Sequence, residues 1–199
     1  ILDIGCYPLT MCKLIAGHLH GAPFAEPKEF SASGQLDETG VDSQSHAHLI
    51  FSETIEAKIS CAINENFANN LVISSNQKSI TVNQPWHCGQ FQDGKSSIFI
   101  SIPNAGKKEI SCLDEFGLFA REIEHASNCI LEKKIESDFI THAETQSNMF
   151  WLDQWREKIK IECPKSSLKN SPIYSSHFFK MKIPILKETT LPKINKIGS

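Results

Sequence analysis

The fold class of this 199-residue chain is decided by the stretch Ile55-Glu56-Ala57-Lys58-Ile59-Ser60-Cys61-Ala62-Ile63-Asn64. Apolar residues at its odd positions alternate with mostly polar residues at its even positions, which is the period of two of a β-strand. One face of this strand is therefore expected to be buried and the other to face solvent.

Further strands are predicted on both sides of this stretch. Residues 28–36 and 41–51 precede it, residues 71–74 and 79–82 form a hairpin around 76–78, and residues 97–102 and 108–112 follow. Most of the connections are too short for helical crossovers. The sequence therefore predicts an open, largely antiparallel sheet of about seven strands.

Helical patterns flank these strands. Residues 8–16 leave little polar face, which predicts a buried helix that stops at Gly17. Apolar residues between 116 and 130 recur at helical spacing, with Asp114 as a cap and Lys133 and Lys134 suited to the far end. We expect this second, amphipathic helix to lie on the sheet.

A last helix is predicted after a capping-box pattern formed by Thr141 and Glu144. Four of its residues share one face: Met149, Leu152, Trp155 and Ile159. The sequence thus predicts an α+β fold, with an N-terminal helix and two C-terminal helices packed on one face of the sheet.

Composition limits the classes of function. The net charge is −3 and no apolar run approaches the 18 or more residues of a membrane span, so neither a membrane nor a nucleic-acid partner is indicated. The seven cysteines form an odd count without a Cys-x-x-Cys pair, which predicts reduced, mostly buried thiols and a cytoplasmic location.

Charge divides the chain at about residue 163. Residues 163–199 hold seven Lys, one Glu and four Pro, a net charge of +6, whereas residues 1–162 have a net charge of −9. We interpret 1–162 as one domain and 163–199 as a Lys/Pro-rich linker. The chain begins with Ile1 and not with Met, and we interpret it as a fragment of a longer protein.

The opening stretch, Ile1-Leu2-Asp3-Ile4-Gly5-Cys6-Tyr7-Pro8-Leu9, holds the candidate catalytic residues. If a helix starts here, Asp3 and Tyr7 lie one turn apart on one face, at its positive end. A carboxylate and a phenol so placed suit proton transfer to or from an alcohol or carbonyl oxygen. A free phenol has a pKa of about 10, so a base role near neutral pH needs a nearby cation.

A plainer interpretation of the same residues stays open. Asp3 could merely cap the helix, and Tyr7 could pack its ring in the core.

The residues 2–8, followed by a helix ending at 16–17, resemble the start of the C-terminal domain of the Gfo/Idh/MocA oxidoreductases, the glucose-fructose oxidoreductase and inositol dehydrogenase family. The closing helices, including Glu122-Ile123-Glu124-His125 and Leu152-Asp153-Gln154-Trp155-Arg156, are similar to that family in pattern and order. The resemblance covers residues 1–162, and Tyr7 in place of His places it nearest the dihydrodiol and sugar dehydrogenase branch.

This resemblance implies a dihydrodipicolinate-reductase-like C-terminal domain without its N-terminal Rossmann domain. It implies NAD or NADP as cofactor, bound mainly by the absent domain, with Asp3 and Tyr7 beside the nicotinamide. It also implies a sugar, polyol or vicinal diol as substrate and a homodimer or tetramer formed through the sheet face. The family's catalytic Lys belongs to a Glu-Lys-Pro motif that this chain lacks. The alternative is a non-catalytic dimerisation or small-ligand-binding module.

Other candidate residues carry weaker signals. Trp86, at a strand end, could stack on a sugar ring, although packing is the commoner role of Trp. His18 with His20, and His46 with His48, have the spacing of some zinc ligands but no suitable third ligand, so no metal site is predicted. Residues 191–198 faintly resemble the opening strand of aldo/keto reductases, which would make 163–199 a link to a second reductase.

Overall fold

The computed structural model describes residues 1–87, 94–113, 116–117, 119–162 and 176–182, and for 160–162 and 176–179 it describes the backbone alone. Eight strands form one sheet in the order β1-β2-β3-β8-β4-β5-β6-β7. Their bounds are β1 Glu29–Leu36, β2 Asp42–Ser52, β3 Ile55–Ala62, β4 Asn70–Ser74, β5 Ser79–Asn83, β6 Lys95–Ile102, β7 Gly106–Leu113 and β8 Ser176–Lys182. The helices are α1 Cys6–His20, α2 Ala120–Leu131 and α3 His142–Glu162.

The predicted α+β class and the open, mostly antiparallel sheet are confirmed. All neighbouring strands pair antiparallel except β4 and β8, which are parallel. The predicted hairpin forms with Ser74 opposite Ser79, and β3 buries the apolar set that its period of two predicted. No helix of the described residues is long and apolar enough to cross a membrane.

The sheet has two unlike faces, which we call inner and outer. Helices α1 and α3 cover the inner face, α3 over β1 and β2 and α1 over β3 and β8. The core lies between them and includes Leu9, Leu49, Ile59, Trp155 and Met181. The outer face carries the polar residues of the same strands.

Strand β8 corrects the interpretation of residues 163–199. Residues 176–182 do not act as a linker, because they form a strand inserted between β3 and β4, near the middle of the sheet. The side chain of Met181 is fully buried there. The proposed link to an aldo/keto reductase lies outside the described residues.

Helix α1 is longer than predicted at both ends, and Gly17 does not end it. The helix runs on to His20, and Gly21 is its C-cap with a φ of 73°. Gly17 is buried inside the helix, and a Cβ atom there would lie 2.3 Å from the Cα of Phe24. This glycine is needed for the close approach of the following loop.

Helix α2 does not pack on the sheet as predicted. It begins at Ala120 with Phe119 as N-cap, and none of its residues is buried. The apolar stripe is exposed, with Ile123, Ile130 and Leu131 open to solvent. The predicted cap Asp114 lies outside the described residues.

Helix α3 confirms most of its predicted pattern. The N–H of Glu144 donates to Thr141 Oγ1 at 3.2 Å, which is one half of the capping box. Leu152, Trp155 and Ile159 are buried as predicted, but Met149 is exposed. The chain turns Asn148 towards the core in its place.

The prediction of mostly buried thiols holds for only part of the described cysteines. All five of them are free; Cys12 and Cys61 are buried, Cys112 is exposed, and Cys6 and Cys129 are intermediate. Cys88 and Cys163 lie outside the described residues.

Candidate functional site

The predicted site lies where the chain enters α1. A turn over residues 2–5 leads into the helix, and the N–H of Gly5 donates to the carbonyl oxygen of Ile1 at 2.8 Å. A Cβ atom on Gly5 would lie 2.8 Å from that oxygen and 3.1 Å from the ring of Trp155. The turn therefore requires glycine, and its position is set by α3.

Burial of the neighbouring residues directs Asp3 and Tyr7 to the surface. Ile4, Pro8 and Leu9 are buried, whereas Asp3 is exposed and Tyr7 is 51% exposed. The carboxylate and the phenol thus lie on the solvent side of the positive end of α1, where an anion is stabilised.

Three of the sequence-based interpretations need correction here. The helix begins at Cys6, so Asp3 lies in the preceding turn and not on the same helical face as Tyr7. Asp3 is also not the cap, because Gly5 is the N-cap and makes no side-chain capping bond. The exposure of Tyr7 contradicts a role in the core.

The structure brings Tyr7 and Trp86 together although 79 positions separate them in the sequence. Their ring centroids are 6.0 Å apart with planes inclined at 44°. Trp86 lies in the 3₁₀ turn Pro85–His87 that follows β5, and one part of it packs against the core. Trp86 therefore both packs against the core and lies beside the predicted site.

Cys6 lies between the two candidate residues in the chain, and no sequence pattern singles it out. Its Sγ donates to the carbonyl oxygen of Asp3 at 3.3 Å. Burial raises the pKa of this thiol, and the nearby charge of Asp3 raises it further. The thiol is therefore held in its protonated form and is not an activated nucleophile.

A buried lysine connects α1 to α3 behind the site. Lys13 is fully buried; its Nζ donates to Ser147 Oγ and lies 3.6 Å from Glu26 Oε2. Ser147 Oγ in turn donates to Glu26 Oε1 at 2.5 Å, and Trp151 Nε1 donates to Glu26 Oε2 at 2.6 Å. This network fixes the orientation of the helix that presents Tyr7. A charged residue within the apolar run 9–16 was the sequence signal for such a buried partner.

Glu144 is a second ionisable residue that folding buries near Lys13. Burial raises the pKa of its carboxyl, and the charge of Lys13 offsets part of this effect. Burial also lowers the pKa of Lys13, with Glu26 acting in the opposite direction. Both groups contribute to the packing of the helices rather than to the exposed site.

Of the two histidine pairs with the spacing of some zinc ligands, His46 and His48 contact polar groups on neighbouring strand β3. His46 Nδ1 lies 2.7 Å from Ser60 Oγ, and His48 Nε2 lies 2.7 Å from Glu56 Oε2, all on the outer face. Within the described ranges, no three His, Cys, Asp or Glu side chains are close enough to hold a metal ion.

Comparison with known proteins identifies two curated relatives, although no family model matches. Trans-1,2-dihydrobenzene-1,2-diol dehydrogenase of Sus scrofa is 25% identical over 167 residues, 83% of this chain and 48% of that protein. The Mus musculus protein of the same name is 22% identical over 165 residues, 83% of this chain and 47% of its own length. The chain spans about half the length of these relatives.

A solved structure also matches over most of the chain. It is the UDP-N-acetylglucosamine 3-dehydrogenase GnnA from Acidithiobacillus ferrooxidans, with 15% identity and a TM-score of 0.47 over 80% of this chain and 50% of that one. The TM-score is too low for this match to carry weight. The sequence relatives confirm the resemblance at the level of distant homology: the chain is similar to two dihydrodiol dehydrogenases over about half of their length.

Proposed function

We propose that this chain is the substrate-binding domain of an NAD(P)-dependent dehydrogenase that acts on a sugar, polyol or vicinal diol. The observation that carries the proposal is the exposed Tyr7 beside Trp86 at the positive end of α1, with the exposed Asp3 in the turn that leads into this helix. The homology to two dihydrodiol dehydrogenases supports it, since that name describes oxidation of a vicinal diol.

Each residue has a distinct role in the proposed reaction. Tyr7 takes the proton from the substrate hydroxyl in oxidation, or returns it in reduction. Asp3, three positions before the start of the helix, orients the hydroxyl by accepting a hydrogen bond. Trp86 offers an aromatic surface on which the ring of the substrate can stack.

The exposed side chains fit a nicotinamide that approaches from outside the domain. Asp3 and Tyr7 face solvent, so a cofactor carried by another domain can reach them without repacking the core. When bound, the cofactor supplies the hydride acceptor or donor. A lysine of that other domain would favour the phenolate form by its charge.

Cofactor binding is the first test. NADH and NADPH fluorescence would be measured with the 199-residue chain and with the same polypeptide extended to its native length. We expect binding by the longer polypeptide alone. If neither binds, the dehydrogenase proposal is wrong and the alternative of a non-catalytic dimerisation or ligand-binding module is favoured.

Substitution of Tyr7 tests its role in proton transfer. In the native-length protein, Tyr7→Phe should lower kcat by a factor of about 100 or more while the cofactor Kd stays unchanged, since general acid–base catalysis contributes about 10² to 10⁴. The matched control is Tyr174→Phe, which changes the other tyrosine of the chain. Equal turnover of Tyr7→Phe and the parent protein would remove Tyr7 from the mechanism.

Substitution of Trp86 tests substrate stacking. Trp86→Leu should raise the KM for the sugar or diol by about tenfold, since the stacking surface is lost, and leave kcat nearly unchanged. Phe99→Leu, which alters a partly exposed aromatic side chain on β6, is the control. A fall in kcat without a change in KM would contradict the stacking role.

We also propose that the chain resides in the cytoplasm. We propose further that it forms a homodimer or tetramer through the outer face of the sheet. The outer face over β1, β2 and β3 forms a broad concavity of about 470 Å³, whose lining includes Ser33, His46 and Lys58. Ser33→Arg would place a bulky charge there and should give a monomer by sedimentation velocity. Glu38→Arg, in the exposed β1–β2 turn, should not. An unchanged oligomer with Ser33→Arg would exclude this surface.

A further inference from the structure

Three lysine side chains are brought together where β3, β8 and β4 lie side by side on the outer face. Lys58, Lys180 and Lys182 line one cavity, which we call the lysine pocket, together with Glu56 and the β4–β5 turn residues Ser74, Ser75 and Asn76. Lys58 lies directly opposite Lys180 in the antiparallel pair, and Glu56 lies opposite Lys182. All three lysines are exposed.

Among the described residues, the charges in this pocket are not balanced. Like charges directly opposite each other on neighbouring strands destabilise the pair. The pocket contains one carboxylate, Glu56, and that group also accepts a hydrogen bond from His48 at 2.7 Å. Three cations therefore share one carboxylate that already has another partner, which leaves a surplus of positive charge.

The shape of the pocket restricts what can balance this charge. Its volume is about 210 Å³, below the roughly 300 Å³ at which sites for drug-sized ligands begin. Ser74 and Asn76 add polar groups to the rim, beside Lys182, which pairs in register with Ser74. A small, compact, multiply charged anion fits this combination, because several flexible ammonium groups can each reach a different oxygen.

We propose that the lysine pocket binds a phosphate group, either as inorganic phosphate or as the phosphate of a phosphomonoester. The lysine pocket lies on the outer face of the sheet, whereas Tyr7 lies on α1, which covers the inner face. Phosphate binding at the pocket is therefore separate from the proposed dehydrogenase chemistry. The pocket depends on β8, because two of its three lysines come from that strand.

The test is a titration of the 199-residue chain with inorganic phosphate and, separately, with ribose 5-phosphate, at constant ionic strength kept by NaCl. Binding is measured by isothermal calorimetry. Lys180→Gln should weaken phosphate binding by about tenfold, since one charge-assisted contact is lost. Lys108→Gln, an exposed lysine on β7 away from the pocket, should bind as the parent chain does.

A second variant changes affinity in the opposite direction and preserves the lysines. Glu56→Gln removes the carboxylate that competes with the anion, so phosphate should bind several-fold more tightly. Tighter binding of ribose 5-phosphate than of phosphate would identify a phosphomonoester as the ligand, and equal binding would identify free phosphate.

Several outcomes would overturn the proposal. One is a heat of phosphate binding no larger than that of NaCl. Another is an equal loss of phosphate affinity in Lys180→Gln and Lys108→Gln. A third is weaker phosphate binding by Glu56→Gln than by the parent chain. Because the pocket shares the outer face with the proposed oligomer contact, sedimentation velocity accompanies each titration. A phosphate effect that follows the oligomeric state and is insensitive to Lys180 would also contradict a phosphate site.

Discussion

At the scale of single residues, the close approach at Gly17 makes the sharpest stability prediction. Any Cβ atom there would lie 2.3 Å from the backbone of Phe24, which cannot rotate away. Gly17→Ala should therefore lower the free energy of unfolding by about 3 kcal/mol, the upper range for overpacking. Urea unfolding measures this change.

The control for Gly17 is Gly117→Ala, because a Cβ atom at Gly117 would meet nothing within 4 Å. This variant should stay within about 0.5 kcal/mol of the parent chain. A small effect of Gly17→Ala would mean that the loop after α1 can move away at little cost.

A second prediction at this scale concerns pH. Burial raises the pKa of the Glu144 carboxyl in the folded chain. The stabilising contribution of a group with a raised pKa is complete below its unfolded pKa, about 4.3, and is lost as the pH rises through the folded pKa. As the pH rises from 4 to 7, the free energy of unfolding of the parent chain should therefore fall relative to that of Glu144→Gln. Urea unfolding at both pH values measures this difference. Glu122→Gln, on the exposed α2, is the control. A parallel pH response of Glu144→Gln and the parent would contradict this role of burial.

At the scale of elements, β8 is the strand that the sequence pattern did not predict. Its composition is Lys-rich and prolines flank it, and in 176–182 apolar residues stand at adjacent positions 178 and 179, which blurs the period of two. Only its two neighbours, β3 and β4, reveal that it is a strand, because they provide the hydrogen-bonding partners and the core that buries Met181.

The place of β8 in the core can be measured with Met181. Met181→Ala should lower the free energy of unfolding by about 2 to 5 kcal/mol, because the side chain is fully buried. Lys182→Ala, the next residue on the same strand but exposed, should change it by about 0.5 kcal/mol or less in phosphate-free buffer. Equal effects of the two substitutions would argue that β8 does not contribute to the core.

At the scale of the whole molecule, the helices cover only one part of the sheet. Helices α1 and α3 contact β1, β2, β3 and β8, whereas the apolar residues of β6 remain partly exposed. The apolar stripe of α2 is exposed as well. Stability should therefore vary across the sheet.

This variation predicts a gradient in amide hydrogen exchange. Local opening costs less where fewer apolar groups are buried. The amides of β6 and β7 should exchange about a hundredfold faster than those of β2 and β3, whose inward-facing side chains are almost all buried. Exchange followed by mass spectrometry measures both regions in one sample. Uniform protection would show that the sheet opens as one cooperative unit.

The sequence by itself determined the fold class, the alternation of β3, the hairpin of β4 and β5, and the opening stretch that resembles the oxidoreductase family. These features are local: a period of two, a turn and a short motif depend on residues near each other in the chain. The capping of α3 by Thr141 belongs to the same group, because a capping residue acts within one helical turn.

Only the tertiary structure decided which residues those elements bring together. The contact of Tyr7 with Trp86, the burial of Lys13 against Ser147, and the three lysines around one pocket join residues far apart in the sequence. It also decided that Gly17 serves a close approach, that α2 stays exposed and that β8 enters the sheet. The physical reason is that burial and pairing depend on partners supplied by other elements, which no local pattern contains.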